Sequence, residues 1–241
     1  MDQEYLATSS AAQFNGRPAG IAIVLAASVM IAFMAHHPVP SPGDVEHFVR
    51  ELAHHGPSSA IVHGVLIGTM ALLLLGFTGL ADLIGSNRLS VRAGLIAYSI
   101  GFAAMTAAAM SDGFIMPALA AQYVDTPAGD LDSFLATMQM LFLALAAAAR
   151  LGVVGLSLAV VLWSLTLVWR PGALSAIGAL GLVLGIVPIV LLFTGRLPVH
   201  FHAMLAFVVS QVIWYFAIGI QLIRRRVLPS HKVASTQTIK F

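Results

Sequence analysis

The chain contains no cysteine. That removes disulfides, thiolate metal sites, cysteine-held iron–sulfur clusters and the c-type haem attachment from consideration. Charge is nearly as scarce. Charged residues are 9% of the 241, where soluble domains carry roughly 25%. A water-soluble globule of this size could not be clothed with so few charges, which excludes a soluble enzyme and a disordered chain. The net charge of +2 is too small to argue for nucleic acid or another polyanion as partner. Also missing are a phosphate-binding loop, a dinucleotide fingerprint, a Gly-x-Ser-x-Gly elbow and a His-Glu-x-x-His pair. No motif points to an enzyme, and the chain reads more readily as a binding or transport protein.

What is present is apolar: 59% of residues are hydrophobic. Six runs reach the roughly 20 residues that a transmembrane helix needs: 18–35, 59–84, 91–110, 151–169, 173–193 and 199–223. None alternates with period two, so strands are not expected. The expected fold is an all-α membrane protein. One domain, 1–226, forms a bundle of six transmembrane helices with a helical and loop cap on its outer face, and a polar, flexible tail follows at 227–241. The first run reads as a retained anchor. Only Arg17 precedes it as a basic residue, and Phe33 spoils the small-x-small pattern of a cleavage site before His36. The fourth run is ambiguous. A straight helix over 134–169 would be about 54 Å long, against a hydrocarbon core of about 30 Å. The span is therefore placed at 151–169, with 132–149 as a separate helix at or above the outer surface.

Lysine and arginine set the orientation. With a cytoplasmic amino terminus, nine of the twelve fall inside and only Arg50, Arg150 and Arg196 fall outside. Both termini are then cytoplasmic. The inner arginines also serve as a depth ruler. His36 and His37 lie 19 and 20 residues after Arg17, and Asp112 lies 20 after Arg92. Arg150 lies 20 before Arg170, His63 lies 25 before Arg88, and His202 and His200 lie 22 and 24 before Arg224. Each separation is about 30 Å or slightly more of helix, so all these groups are expected near the outer interface. Eight of the nine histidines fall on that side.

Neutral imidazole suits zinc and copper, and methionine favours Cu(I). His63, His200, His202, His36, His37 and Asp112 are therefore candidate ligands of a metal ion, zinc or copper. Met30, Met34 and His37 share a helical face, and Met105 lies seven residues before Asp112. Two histidines could instead clamp a haem b, with Arg150 on a propionate. Arg150 and Asp112 form a candidate charge pair. The bland alternatives are that interface histidines cap helices and bond loop carbonyls, that methionines fill gaps, and that Arg150 and Asp112 simply order two spans. Two other classes of function stay open. One is a small transporter or channel gated by the outer histidines, with a kink at Pro188. The other is an accessory subunit without a site of its own. The expected partners are the lipid bilayer and either another membrane protein or further copies of the chain.

Several short passages carry a resemblance: His63-Gly64, Ser111-Asp112-Gly113-Phe114-Ile115-Met116-Pro117, Arg150-Leu151-Gly152-Val153 and the His-bearing start of the sixth run. Together they resemble an uncharacterised family of bacterial inner-membrane proteins. The resemblance implies a bacterial cytoplasmic membrane and no particular activity. Intramembrane zinc hydrolases with three histidines, an aspartate and a serine are a more distant comparison. The chain lacks their His-x-x-x-His pair on the last helix.

Overall fold

The computed structural model describes residues 16–38, 44–124, 131–198 and 201–224. His200 and the tail 227–241 lie outside the described residues. Helices make up nearly all of the rest: α1 (Arg17–Ala35), α2 (Val45–His54), α3 (Gly56–Ile84), α4 (Leu89–Met110), a π-helical turn (Ser111–Ile115), α5 (Met116–Val124), α6 (Leu131–Leu167), α7 (Ala173–Phe193) and α8 (Phe201–Arg224). Among the described residues six helical stretches are long and apolar enough to cross a membrane. The protein is a multi-pass, all-α membrane protein.

The spans run up and down in chain order. α1 packs on α3, α3 on α4, α4 on α6, α6 on α7 and α7 on α8, and α8 returns to α1. Small residues make these approaches close, as expected where lipid tails compete equally for apolar surface. A Cβ on Gly101 would lie 2.6 Å from the Leu156 backbone nitrogen. The Gly178, Gly181 and Gly185 stripe of α7 lets that helix ride against Leu167, Ser164 and Ser157 of α6. Gly20 meets the Gly219 carbonyl, which places the start of α1 beside the end of α8. Both described ends therefore lie at one end of the bundle, and the histidines His37 and His63 at the other.

The core nearer the termini is aromatic. Phe77 of α3 touches Tyr98, Trp163, Trp214 and Tyr215, and Trp163 and Trp214 stack with centroids 6.1 Å apart. Three of their polar tips reach carbonyls, as buried tips generally do. Trp163 Nε1 donates to the Val91 carbonyl, Trp214 Nε1 to that of Ile177, and Tyr98 Oη to that of Met70.

At the opposite end α2, α5 and the first half of α6 form a cap. Asp44 starts α2 by accepting from the His47 amide at 2.8 Å, the expected N-cap bond. The cap is held by its own apolar cluster of Val49, Met116, Ala120, Phe134 and Met138. This corrects the division of the fourth span at residue 151. α6 is one helix of 37 residues, about 55 Å by its rise, and crosses that position without a break. Arg150 lies on its exposed side, so the charge demands no turn, and the alanines 146–149 favour helix. Residues 131–149 are helical and capping, as the sequence suggests, but continuous with the span.

Candidate metal centre

Three side chains from three elements converge under the cap. His37 follows the end of α1, His63 lies two turns into α3, and Asp112 is the second residue of the π-turn after α4. His63 Nε2 is 3.1 Å from Asp112 Oδ2 and 3.3 Å from His37 Nε2. His37 Nε2 is 3.5 Å from the same carboxylate oxygen. The three ligand-capable atoms form a nearly equilateral triangle.

Local structure explains the convergence. A π-turn carries one residue more than an α-turn and often marks a functional site. Here it carries Asp112 and brings Gly113 against α3. A Cβ on Gly113 would fall 2.5 Å from Cβ and Cγ of His63, so only glycine admits the His63 ring at this place. His63 is then fixed from behind, because its Nδ1 lies 2.8 Å from the Ser59 carbonyl oxygen, one turn earlier. A carbonyl only accepts, so Nδ1 carries the proton, and Ser59 Oγ stands 3.3 Å away. The neutral ring then presents the Nε2 lone pair to Asp112 and His37. Binding a ligating histidine through its far nitrogen to a carbonyl is the usual way of fixing its tautomer and angle. His37 lacks such a clamp. Its Nδ1 is buried without a hydrogen-bond partner, and its ring is steadied by contacts with His63 and Phe201, at centroid distances of 4.9 and 5.2 Å.

Three lone-pair-bearing atoms facing one another repel unless a cation or a proton lies between them. Two ligand atoms about 2.0–2.1 Å from a tetrahedral zinc stand about 3.3 Å apart. The observed edges of 3.1, 3.3 and 3.5 Å match one face of such a tetrahedron. The fourth direction is open. The Asp112 side chain remains 40% exposed, and the triad borders a cavity of about 420 Å³ whose walls are mostly apolar. Phe48 and Leu52 of α2 and Phe142 and Leu145 of α6 line it on the cap side.

The other candidates fall elsewhere. His36 is exposed, and its Nδ1 bonds the Ala32 carbonyl at 2.8 Å, within its own helix. One residue's rotation separates it from His37, roughly 100° on a helix. His202 is exposed and lies edge-on to Phe201. It is not among the triad or the cavity walls. The expected Arg150–Asp112 pair does not form among the described residues: Asp112 meets the two histidines, while Arg150 points away from the bundle. Gly152, two residues after Arg150, meets Met105, two turns short of Asp112, so the pair differs in depth as well as in helical phase. The haem reading fails for this pair as well. Axial histidines must approach iron from opposite faces of the macrocycle. The two Nε2 atoms here are 3.3 Å apart and face one carboxylate oxygen, leaving no room for a porphyrin between them.

Sequence reasoning passed over Gly113 and the Ser59 carbonyl. The Asp112-Gly113 step at the end of an apolar run, and a serine four residues before His63, were the available signals. Set against protein-family models, curated proteins and solved structures, the chain matches none.

Proposed function

We propose that the protein binds a transition-metal ion, zinc or copper, through His37, His63 and Asp112 at the periplasmic face of a bacterial cytoplasmic membrane. The observation that carries this reading is the triangle of donor atoms with tetrahedral edge lengths, backed by the clamp on His63 Nδ1. Three protein ligands with a fourth position open are the pattern of zinc sites that bind or activate a small molecule. Charge supports the choice of metals. Two neutral imidazoles and one carboxylate bring a net charge of −1. Cu(I) makes the site neutral, and zinc does so with one bound hydroxide, which matters beside an apolar cavity. The excess of lysine and arginine at the opposite end of the bundle supports a cytoplasmic position for the termini.

The test is elemental analysis of protein purified in mild detergent, with no polyhistidine tag and no chelator. About one metal per chain, lost in His63→Ala and in Asp112→Ala, is the expected result. A metal-free protein whose thermal stability is unmoved by added zinc or copper would overturn the reading.

A second reading is favoured by one distance. His63 Nε2 and Asp112 Oδ2 stand 3.1 Å apart, which a shared proton also satisfies. The triad then acts as a proton-sensitive latch in a small transporter or channel. In that case no metal binds, and flux into liposomes depends on pH in the wild type but not in His63→Gln.

A further inference from the structure

Ten methionines occur in the chain, and six of them line the cavity beneath the triad: Met30, Met34, Met70, Met105, Met116 and Met204. Three of these six repeat the triad's own pattern. Met30 lies seven residues before His37, Met70 seven after His63, and Met105 seven before Asp112. α3 runs opposite to α1 and α4, so all three offsets lead in one direction, away from the cap and into the bundle. Seven residues are two turns, about 10.5 Å, and return the side chain to the same face. α3 thus supplies both His63 and Met70, while Met30 and Met105 lie on α1 and α4, the helices that lead into His37 and Asp112, and all three methionines line the same cavity.

Gap-filling alone does not ask for this register, since leucine covers an apolar wall equally well. The seat of Met105 is also specific. Gly152 of α6 has no Cβ, and the space one would occupy lies 2.4 Å from the Met105 Cγ and Sδ. Met30 and Met70 are buried.

We propose that Met30, Met70 and Met105 form a second metal site, specific for Cu(I), two turns below the triad. Thioethers are soft and uncharged, and they select Cu(I) over divalent ions. A monovalent ion on three neutral sulfurs brings only a single charge into the bundle. A zinc ion at the same depth would bring two charges with no anionic ligand, which the surroundings oppose. The chain then holds a nitrogen–oxygen site at the cap and a sulfur site below it, within one cavity.

The test uses the full chain without a tag, in detergent under reducing, oxygen-free conditions. Cu(I) is supplied from a chromogenic chelator that reports transfer, and X-ray absorption identifies the donor atoms. The wild type is expected to take about two Cu(I) per chain and to show sulfur scatterers. The triple variant Met30→Leu/Met70→Leu/Met105→Leu keeps volume and hydrophobicity. It is expected to take about one, with nitrogen and oxygen donors only. The single Met→Leu variants, and titration with redox-inert Ag(I), guard against loss through misfolding, and each single variant is expected to weaken the second equivalent. A wild type without sulfur scatterers overturns the proposal, as does a triple variant that still binds the second equivalent through sulfur. The two sites fail separately. Sulfur-bound copper that persists in His63→Ala, where the wild type binds no zinc, removes the triad and keeps the thioether site. One nitrogen- and oxygen-bound equivalent, unchanged by the leucines, does the reverse.

Discussion

Toward the termini, the space between the six spans is filled by Phe77, Tyr98, Trp163, Trp214 and Tyr215, each nearly or wholly without exposed surface. Toward the cap, the same helices enclose a cavity of about 420 Å³. The aromatic half uses large rigid rings, and the polar groups of Tyr98, Trp163 and Trp214 donate to carbonyls. The capped half uses unbranched methionines, two histidines and a carboxylate. Van der Waals packing is the main force between helices in lipid. Concentrating it at one end lets the other end stay hollow without the ring of helices falling apart. The contrast also divides labour between glycines. Gly101 and Gly155 bring backbones together for packing, whereas Gly113 makes room for one functional ring.

The contrast can be broken at either end. The largest effect is expected from His63→Ala, which removes a ligand and the anchor of the triangle. Zinc content should fall from about one per chain to none, while the thermal unfolding midpoint without metal changes little. Trp163→Ala should do the opposite. It opens a void in the aromatic half at a cost of about 3–5 kcal/mol, read by thermal or denaturant unfolding in detergent, and it spares the metal stoichiometry of whatever remains folded. Gly113→Ala sharpens the distinction. The added methyl displaces the His63 ring, so metal affinity should drop roughly 10- to 100-fold, the range seen when the support of a ligand is disturbed. A competition titration with a metal indicator would show it. Acidification should weaken binding further in the same assay. Protons compete for the imidazole nitrogens, so affinity falls as pH falls; a flat profile would argue against histidine ligation. Arg150→Ala is expected to do least. Its stability should stay within about 0.5 kcal/mol of wild type and its metal affinity should be unchanged.

Much of the architecture was legible because hydropathy and length directly encode a bilayer. The run over 173–193 coincides with α7, and the others differ mainly at their ends. The fourth did not, because a helix of about 54 Å was judged too long for the bilayer, whereas α6 runs on unbroken into the cap. For the site, counting residues from the inner arginines placed His37, His63 and Asp112 at one depth, and they lie within hydrogen-bond reach of one another. The same count placed His36, His202 and Arg150 there too, and they lie elsewhere. Depth follows roughly from residue number. Azimuth depends on which neighbours each helix meets, and nothing local in a uniformly apolar stretch announces that. The π-turn is a further step removed, since it depends on how α4 and α5 both find partners.

That turn has one more consequence. Ser111–Ile115 is a helix with a residue to spare. Wound at ordinary α-helical pitch with no residue removed, it would swing everything beyond it by up to about 100°. Met116 and Ala120 would leave the cap cluster while α4 stayed in place below. The spare residue thus sets which way Met116 and Ala120 face, and with them the cap, while the helix below keeps its own phase.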